Sequence, residues 1–169
     1  MNVSCTQALR EENTILLRQL QALLGAITRT DYQRAEGPFE RGGIGKHVRH
    51  ILDHCSALLD SDGEVVDYET RRRDARIETD PAAAAGSCEQ MIQILQNTGV
   101  QRSKLVVRNV WDAGEGLIAT SFERELQFLS SHTVHHMAFV SFILRYLELP
   151  VPEDFGVAFS TLRYEASSR

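Results

Sequence analysis

Apolar residues recur at helical spacing in four stretches of the chain. Leu9, Leu16, Leu20, Leu23, Leu24 and Ile27 form one stripe, and Ser4 with Gln7 makes a capping box before it. A polar connection over 28–43 contains Gly37-Pro38 and Gly42-Gly43. Ile44, Val48, Ile51, Leu52, Leu58 and Leu59 predict a second helix over about 44–60, with a stop near Gly63. Asp80 then caps a third helix that has Pro81 at its first position and runs through Met91, Ile92 and Leu95 to Gly99. Leu105-Val106-Val107 and Leu117-Ile118-Ala119 flank Asp112 to Gly116, which predicts a short hairpin. Thr120 and Glu123 offer a capping box for a fourth helix, which runs to about Leu149 before Pro150 and Pro152. On it Phe122, Leu129, Val140 and Leu144 share one side, while Ser130, Ser131 and Arg145 lie away from it. Phe155, Phe159 and Tyr164 belong to a tail expected to pack along the helices. The pattern predicts an all-α protein: a single domain over 1–169, a four-helix bundle with a long crossover (61–80) between the second and third helices.

The composition changes this picture little. Of 169 residues, 43% are hydrophobic and 24% charged, an ordinary globular balance. A net charge of -5 argues against a general affinity for nucleic acid or an anionic membrane. The apolar run over 16–27 is broken by Arg18, Gln19 and Gln21, so no membrane span is expected. Arg10, Glu11 and Glu12 do not suit a signal peptide, and Cys5, Cys55 and Cys88 form no CxxC pair. The expectation is a cytoplasmic, reduced protein.

The chemistry lies in the six histidines. His47, His50 and His54 fall on the second predicted helix, and His132, His135 and His136 on the fourth. At about 100° per residue, positions four apart differ by only about 40° around a helix. The pairs His50/His54 and His132/His136 can therefore each present two imidazoles to one point. Both clusters lie on or beside core-facing stripes, so the rings need partners for their nitrogens. A shared metal ion is one answer, and hydrogen bonds to backbone or to Asp53 and Asp67 are the other. There is no HExxH, since Thr133 stands at the glutamate position, and no HxxEH, since His135 stands there. Neither histidine cluster carries an ExxH pair of the di-iron kind, and no GxGxxG, P-loop or GxSxG occurs. Nitrogen ligands favour Zn, Ni, Fe or Cu over Mg or Ca.

The segments Ile44-Gly-Lys-His-Val-Arg-His-Ile-Leu-Asp-His54 and His132-Thr-Val-His-His-Met-Ala-Phe-Val140 resemble the DinB/YfiT-like superfamily of metal-binding four-helix bundles. The resemblance covers nearly the whole chain in element order. It implies one divalent transition metal ion held by His54, His132 and His136, with His135 as a non-ligand neighbour. Apart from the resemblance, His50 reads as a replacement for His54, as a residue that orients a ligand, or as a partly exposed imidazole. It also implies a homodimer, which apolar positions on more than one side of the first and fourth helices support. Several members act on low-molecular-weight thiols. The chain departs from the family at Met137, Ala138, Phe139 and Val140, where arginine and glutamine often follow the histidine pair, and in its additional His47 and His50.

Other residues carry two readings. Glu125 orients an imidazole or acts as a base, or is a solvated residue paired with Arg124. Tyr68, Arg71 and Arg72 line a substrate pocket, or the arginines pair locally with Glu69, Asp74 and Glu78. Cys55 reads as a small core residue, and His47 as structural or exposed. Two functions follow. One is a metal-dependent transfer of a small thiol onto an electrophilic small molecule. The other is a metal-stabilised binding or stress-response protein without turnover. An open coordination position marks the first and a closed four-ligand site the second.

Overall fold

The first stripe forms helix α1 (Cys5–Ala26), opened by the Ser4 hydroxyl, which accepts the Gln7 backbone N–H at 3.2 Å. The computed structural model describes residues 4–60, 64–70, 73–97 and 104–168. In chain order these continue with α2 (Arg29–Gln33), α3 (Ile44–Leu59), β1 (Val65–Asp67), α4 (Ala75–Thr79) and α5 (Pro81–Gln96). Then come β2 (Leu105–Trp111), β3 (Gly114–Thr120), α6 (Phe122–Tyr146) and α7 (Phe159–Ser167).

Each long helix buries the stripe that its sequence displays. Leu16, Leu17, Leu20, Leu23 and Leu24 of α1 meet Met91, Ile92 and Leu95 of α5, and Leu126, Leu129, Val140 and Leu144 of α6, in one core. α1 packs on α5 and α6, and α3 packs on the same two helices. Two buried polar side chains of α1, Asn13 and Arg10, find partners across its seams. Asn13 Nδ2 donates to the carbonyls of Leu9 (2.8 Å) and Leu126 (2.9 Å). Arg10 donates to the carbonyls of Leu95 (2.9 Å) and Asn97 (3.0 Å), closing the end of α5.

The chain is mostly helical but not purely α, because the crossover and the hairpin together make a three-stranded mixed sheet in the order β1-β2-β3. β2 and β3 pair antiparallel from Leu105↔Thr120 out to Trp111↔Gly114. β1 joins β2 in parallel at Val65↔Val106. Three residues are too few to show an alternation, so only the distant partner makes β1 a strand. At the outer end of the hairpin, Trp111 lies over Gly116, where a Cβ would meet the indole at 2.7 Å.

Several expected boundaries shift. The Ser121 hydroxyl, not Thr120, caps α6 by accepting the Arg124 N–H at 3.2 Å, which leaves Thr120 free for a different bond. Ser130, expected on the outer side, is buried, because α6 is wrapped on more than one face. α6 ends at Tyr146, and Glu148 follows with a left-handed φ of 58°. The polar connection contains α2, capped by Thr28, and Tyr32 of α2 is buried with its hydroxyl donating to the Ile77 carbonyl at 2.7 Å. In the tail, Phe155 is buried and its carbonyl accepts from Ser141 at 3.0 Å, whereas Tyr164 on α7 is exposed. Gly63 and Gly99, the expected stops, lie outside the described residues. Among the described residues no helix is long and apolar enough to cross a membrane.

The crossover is fastened over α3. Arg49 bridges Glu78 (2.7 Å) and Asp53 (2.8 Å), and Gly45 gives the chain room to approach, since a Cβ there would collide with the Glu78 carbonyl. Gly86, in α5, has nothing within 4 Å of its Cβ position. Gly45→Ala is therefore expected to destabilise by about 1–3 kcal/mol through overpacking. Gly86→Ala should stabilise by up to about 1 kcal/mol through helix propensity. Urea unfolding of the two variants checks both signs.

Candidate metal centre

The histidine faces of α3 and α6 meet. Ligand-capable nitrogens of His50, His54 and His132 all lie within 4.8 Å of one another. The Nε2 atoms of His50 and His132 are 3.2 Å apart. His54 Nδ1 lies 2.8 Å from the His50 backbone carbonyl, which can only accept, so Nδ1 carries the proton and Nε2 keeps its lone pair. The His136 ring stands 4.5 Å from both the His50 and the His132 rings, centroid to centroid. Its Nδ1 lies 3.0 Å from Nδ1 of His47. Of the residues expected as ligands, His54 and His132 thus belong to the close trio, His50 is its third member, and His136 stands beside it. His135 is exposed, edge-on to His136 and Phe139. His47 is half-buried, with Phe139 stacked on its ring at 5.4 Å.

Burial decides the protonation of these rings. It pushes His132 down to about 3, helped by repulsion from His54, His136 and His50. Burial and the neighbouring His47 push His136 down to about 4, and burial lowers His47 too. Neutral rings offer lone pairs. His132 Nδ1 is buried and, among the described residues, has no hydrogen-bond partner. Two nitrogens bound tetrahedrally at about 2.0–2.1 Å to one zinc stand about 3.3 Å apart, close to the His50–His132 separation. The donor set fits a borderline-soft transition ion.

Aromatic rings wall the cluster. Tyr68 stacks on His54 at 5.4 Å and Phe128 packs against His132 at 5.5 Å, with 5.2 Å between Tyr68 and Phe128. Phe128, one turn before His132, was not singled out from the sequence, although that spacing marks it. Behind these rings, a cleft of about 290 Å³ lies between the sheet and the first turns of α6, lined by Val107, Ile118, Arg124 and Glu125 among others.

Glu125 corrects an expectation. It is 5% exposed rather than solvated beside Arg124, and it accepts the Tyr68 hydroxyl at 2.8 Å and the Thr120 hydroxyl at 2.6 Å. Burial and the Glu125 carboxylate hold the Tyr68 phenol far above its ordinary range, so the phenol stays a donor. Glu125 steadies the ring that covers His54, and both of its partners come from outside α6. Asp53 is paired with Arg49, while Asp67 accepts the Glu69 and Thr70 backbone N–H groups of its own turn. Glu78 and Asp74 pair with Arg49 and Arg76. Arg71 and Arg72 lie outside the described residues. Cys55 is buried, its thiol pushed up to about 12 by burial.

Comparison with known proteins gives one partial likeness. Over 109 residues, 59% of this chain, the sequence is 37% identical to FK506-binding protein 5 of Rhizopus delemar. The chain spans about a quarter of that relative: the matched stretch is 27% of its length. No family model matches the chain. No solved structure matches it.

The depressed histidines make acid stability a readout of the cluster. In the unfolded chain these rings take up protons near their ordinary value of 6.5, while the folded protein resists until about 4 and about 3. Stability is therefore full above about pH 7 and falls as the pH drops through 6.5 toward those values. Thermal unfolding in chelator should show a flat Tm at higher pH and a decline already between about pH 6.5 and 5, above the range of most carboxylates. His132→Gln should flatten that decline.

Proposed function

We propose that this protein is a DinB-like four-helix bundle that holds one divalent transition metal ion on the imidazoles of His50, His54 and His132, with His136 alongside. The observation that carries the reading is the convergence of three ring nitrogens, one of them on a separate helix, within 4.8 Å. The neutral state of His132 and His136 supports it. Zn, Ni and Fe are all metals that imidazole ligands suit. FK506 binding, which the name of the Rhizopus relative records, forms no part of the reading, because the matched stretch is 27% of that protein.

An ion held by neutral imidazoles keeps its full positive charge and lowers the pKa of a thiol or water that joins it. The reaction class we favour is transfer of a low-molecular-weight thiol onto an electrophilic small molecule. His50, His54 and His132 hold the centre, Tyr68 and Phe128 exclude water from one side, and Glu125 keeps Tyr68 in place. The second reading is a metal-stabilised binding or stress-response protein, and the nearness of His136 favours it, since a fourth imidazole closes the site. A homodimer is part of the proposal. Phe139, Phe142 and Tyr146 form an exposed stripe on α6, and a monomer by light scattering at micromolar concentration overturns it.

Protein purified without a metal-affinity tag is expected to contain about one transition metal ion per chain by elemental analysis. His132→Ala should lose most of it. Alanine at His50 and at His54, made separately, ranks the two α3 imidazoles. Metal-free wild-type protein that binds no zinc, nickel or iron in titration ends the reading. For the reaction, metal-loaded protein is incubated with glutathione, mycothiol or bacillithiol and a model electrophile. Rates no higher than those of His132→Ala with all three thiols leave the non-enzymatic reading ahead.

A further inference from the structure

An imidazole serves one acceptor function at a time: the nitrogen that carries the proton cannot bind a metal, and the bond made by one nitrogen fixes the role of the other. For His54 the backbone settles the matter, since its Nδ1 faces the His50 carbonyl at 2.8 Å. For His136 no carbonyl of the described residues plays that part. Its Nδ1 instead faces Nδ1 of His47 at 3.0 Å, and two ring nitrogens in contact share one proton between them. The two possible arrangements differ in consequence. With the proton on His47, the proton of His136 must sit on Nε2, the nitrogen on the opposite side of the ring. With the proton on His136 Nδ1, its Nε2 is an acceptor.

Surroundings favour the second arrangement. The His136 ring stands 4.5 Å from the rings of both His50 and His132, whose own Nε2 atoms already face each other at 3.2 Å. His47 is half-buried with its Nε2 on the side of Gly42 in the polar loop, and a proton on that nitrogen leaves its Nδ1 free to accept. The His47 ring is held in plane by Phe139, stacked at 5.4 Å with only 7° between the planes. His47 and Phe139 therefore form a fixed acceptor on the outer side of His136.

We infer that His47 is a positioning residue: its Nδ1 accepts the Nδ1–H of His136 and thereby commits His136 Nε2 to the metal centre. The inference rests on the metal reading above for its purpose, though not for the tautomer itself. It changes the meaning of His47, which lies one turn before His50 and reads from sequence as structural. It also makes the fourth imidazole a regulated member of the site, since its availability depends on a half-buried neighbour.

The test uses the 169-residue chain in two measurements. Long-range ¹H–¹⁵N NMR of histidine-labelled, metal-free protein reads each ring's tautomer directly. His136 is expected with its proton on Nδ1 in wild type and in His47→Asn, whose amide oxygen can take the acceptor position. In His47→Ala that preference should be lost. Zinc titration then reads the consequence. His47→Ala and His47→Leu should bind about 10–100-fold more weakly than wild type, the range for removing an outer-shell partner, with His47→Asn close to wild type. A changed visible spectrum of the cobalt-loaded His47→Ala protein should accompany the loss. His136 protonated on Nε2 in the wild type overturns the inference, as does wild-type affinity in His47→Ala. Wild type that binds no metal defeats the metal reading instead, and the NMR measurement still decides the role of His47.

Discussion

Where α3 meets α6, each helix presents imidazoles on or beside the same face as the apolar residues that hold the pair together. Val48, Ile51 and Leu58 are fully buried on one helix, and Met137 and Val140 on the other, so rings between them cannot keep a full shell of water. A buried polar nitrogen needs a partner, and at this seam much of what stands within reach is another imidazole. Burial and crowding act in the same direction. Both disfavour the charged form, and the neutral ring that results is the form that can donate a lone pair. The packing that stabilises the fold thus prepares the donor set.

The second support comes from the crossover. β1 is three residues long, yet its parallel pairing with β2 delivers Tyr68 to the face of His54. Glu125 then ties Tyr68 to the start of α6, and Thr120 at the end of β3 completes the set. Arg49 holds α4 down through Glu78 on the other side of α3. The histidines sit on long helices, which place them with little freedom, and Phe128 and Glu125 share α6 with them. Tyr68 and Thr120, by contrast, come from the crossover and the hairpin and are fixed by non-local bonds.

This division explains what could be read from the sequence. The four long helices announce themselves through stripes such as Leu16-Leu20-Leu23-Leu24 and through caps such as Ser4 and Asp80, which are local signals. His54 and His132 were legible because spacing of four on a helix already implies a shared face. His50 was legible as a candidate, but its rank against His136 depends on how far α6 is rotated relative to α3, and no local pattern encodes that rotation. β1 and the burial of Glu125 were not legible at all. Their partners, Val106 for Val65 and Tyr68 for Glu125, are distant in sequence. The cap of α6 moved by one residue for a similar reason: Thr120 is drawn to Glu125, and Ser121 takes the role.

The chain has a single tryptophan, and it sits at the outer end of the hairpin, 49% exposed, rather than in the leucine core. Indole emission reports the immediate surroundings of the ring, so a fluorescence melt of this protein follows the loosening of a strand end over Gly116. Circular dichroism in the far ultraviolet follows the long helices instead. Coincidence of optical probes is the usual criterion for all-or-none unfolding, and here the two probes look at different parts of the molecule. If the hairpin end frays first, the two curves separate because of where the chromophore is placed, and such a gap is no evidence for a partly folded bundle.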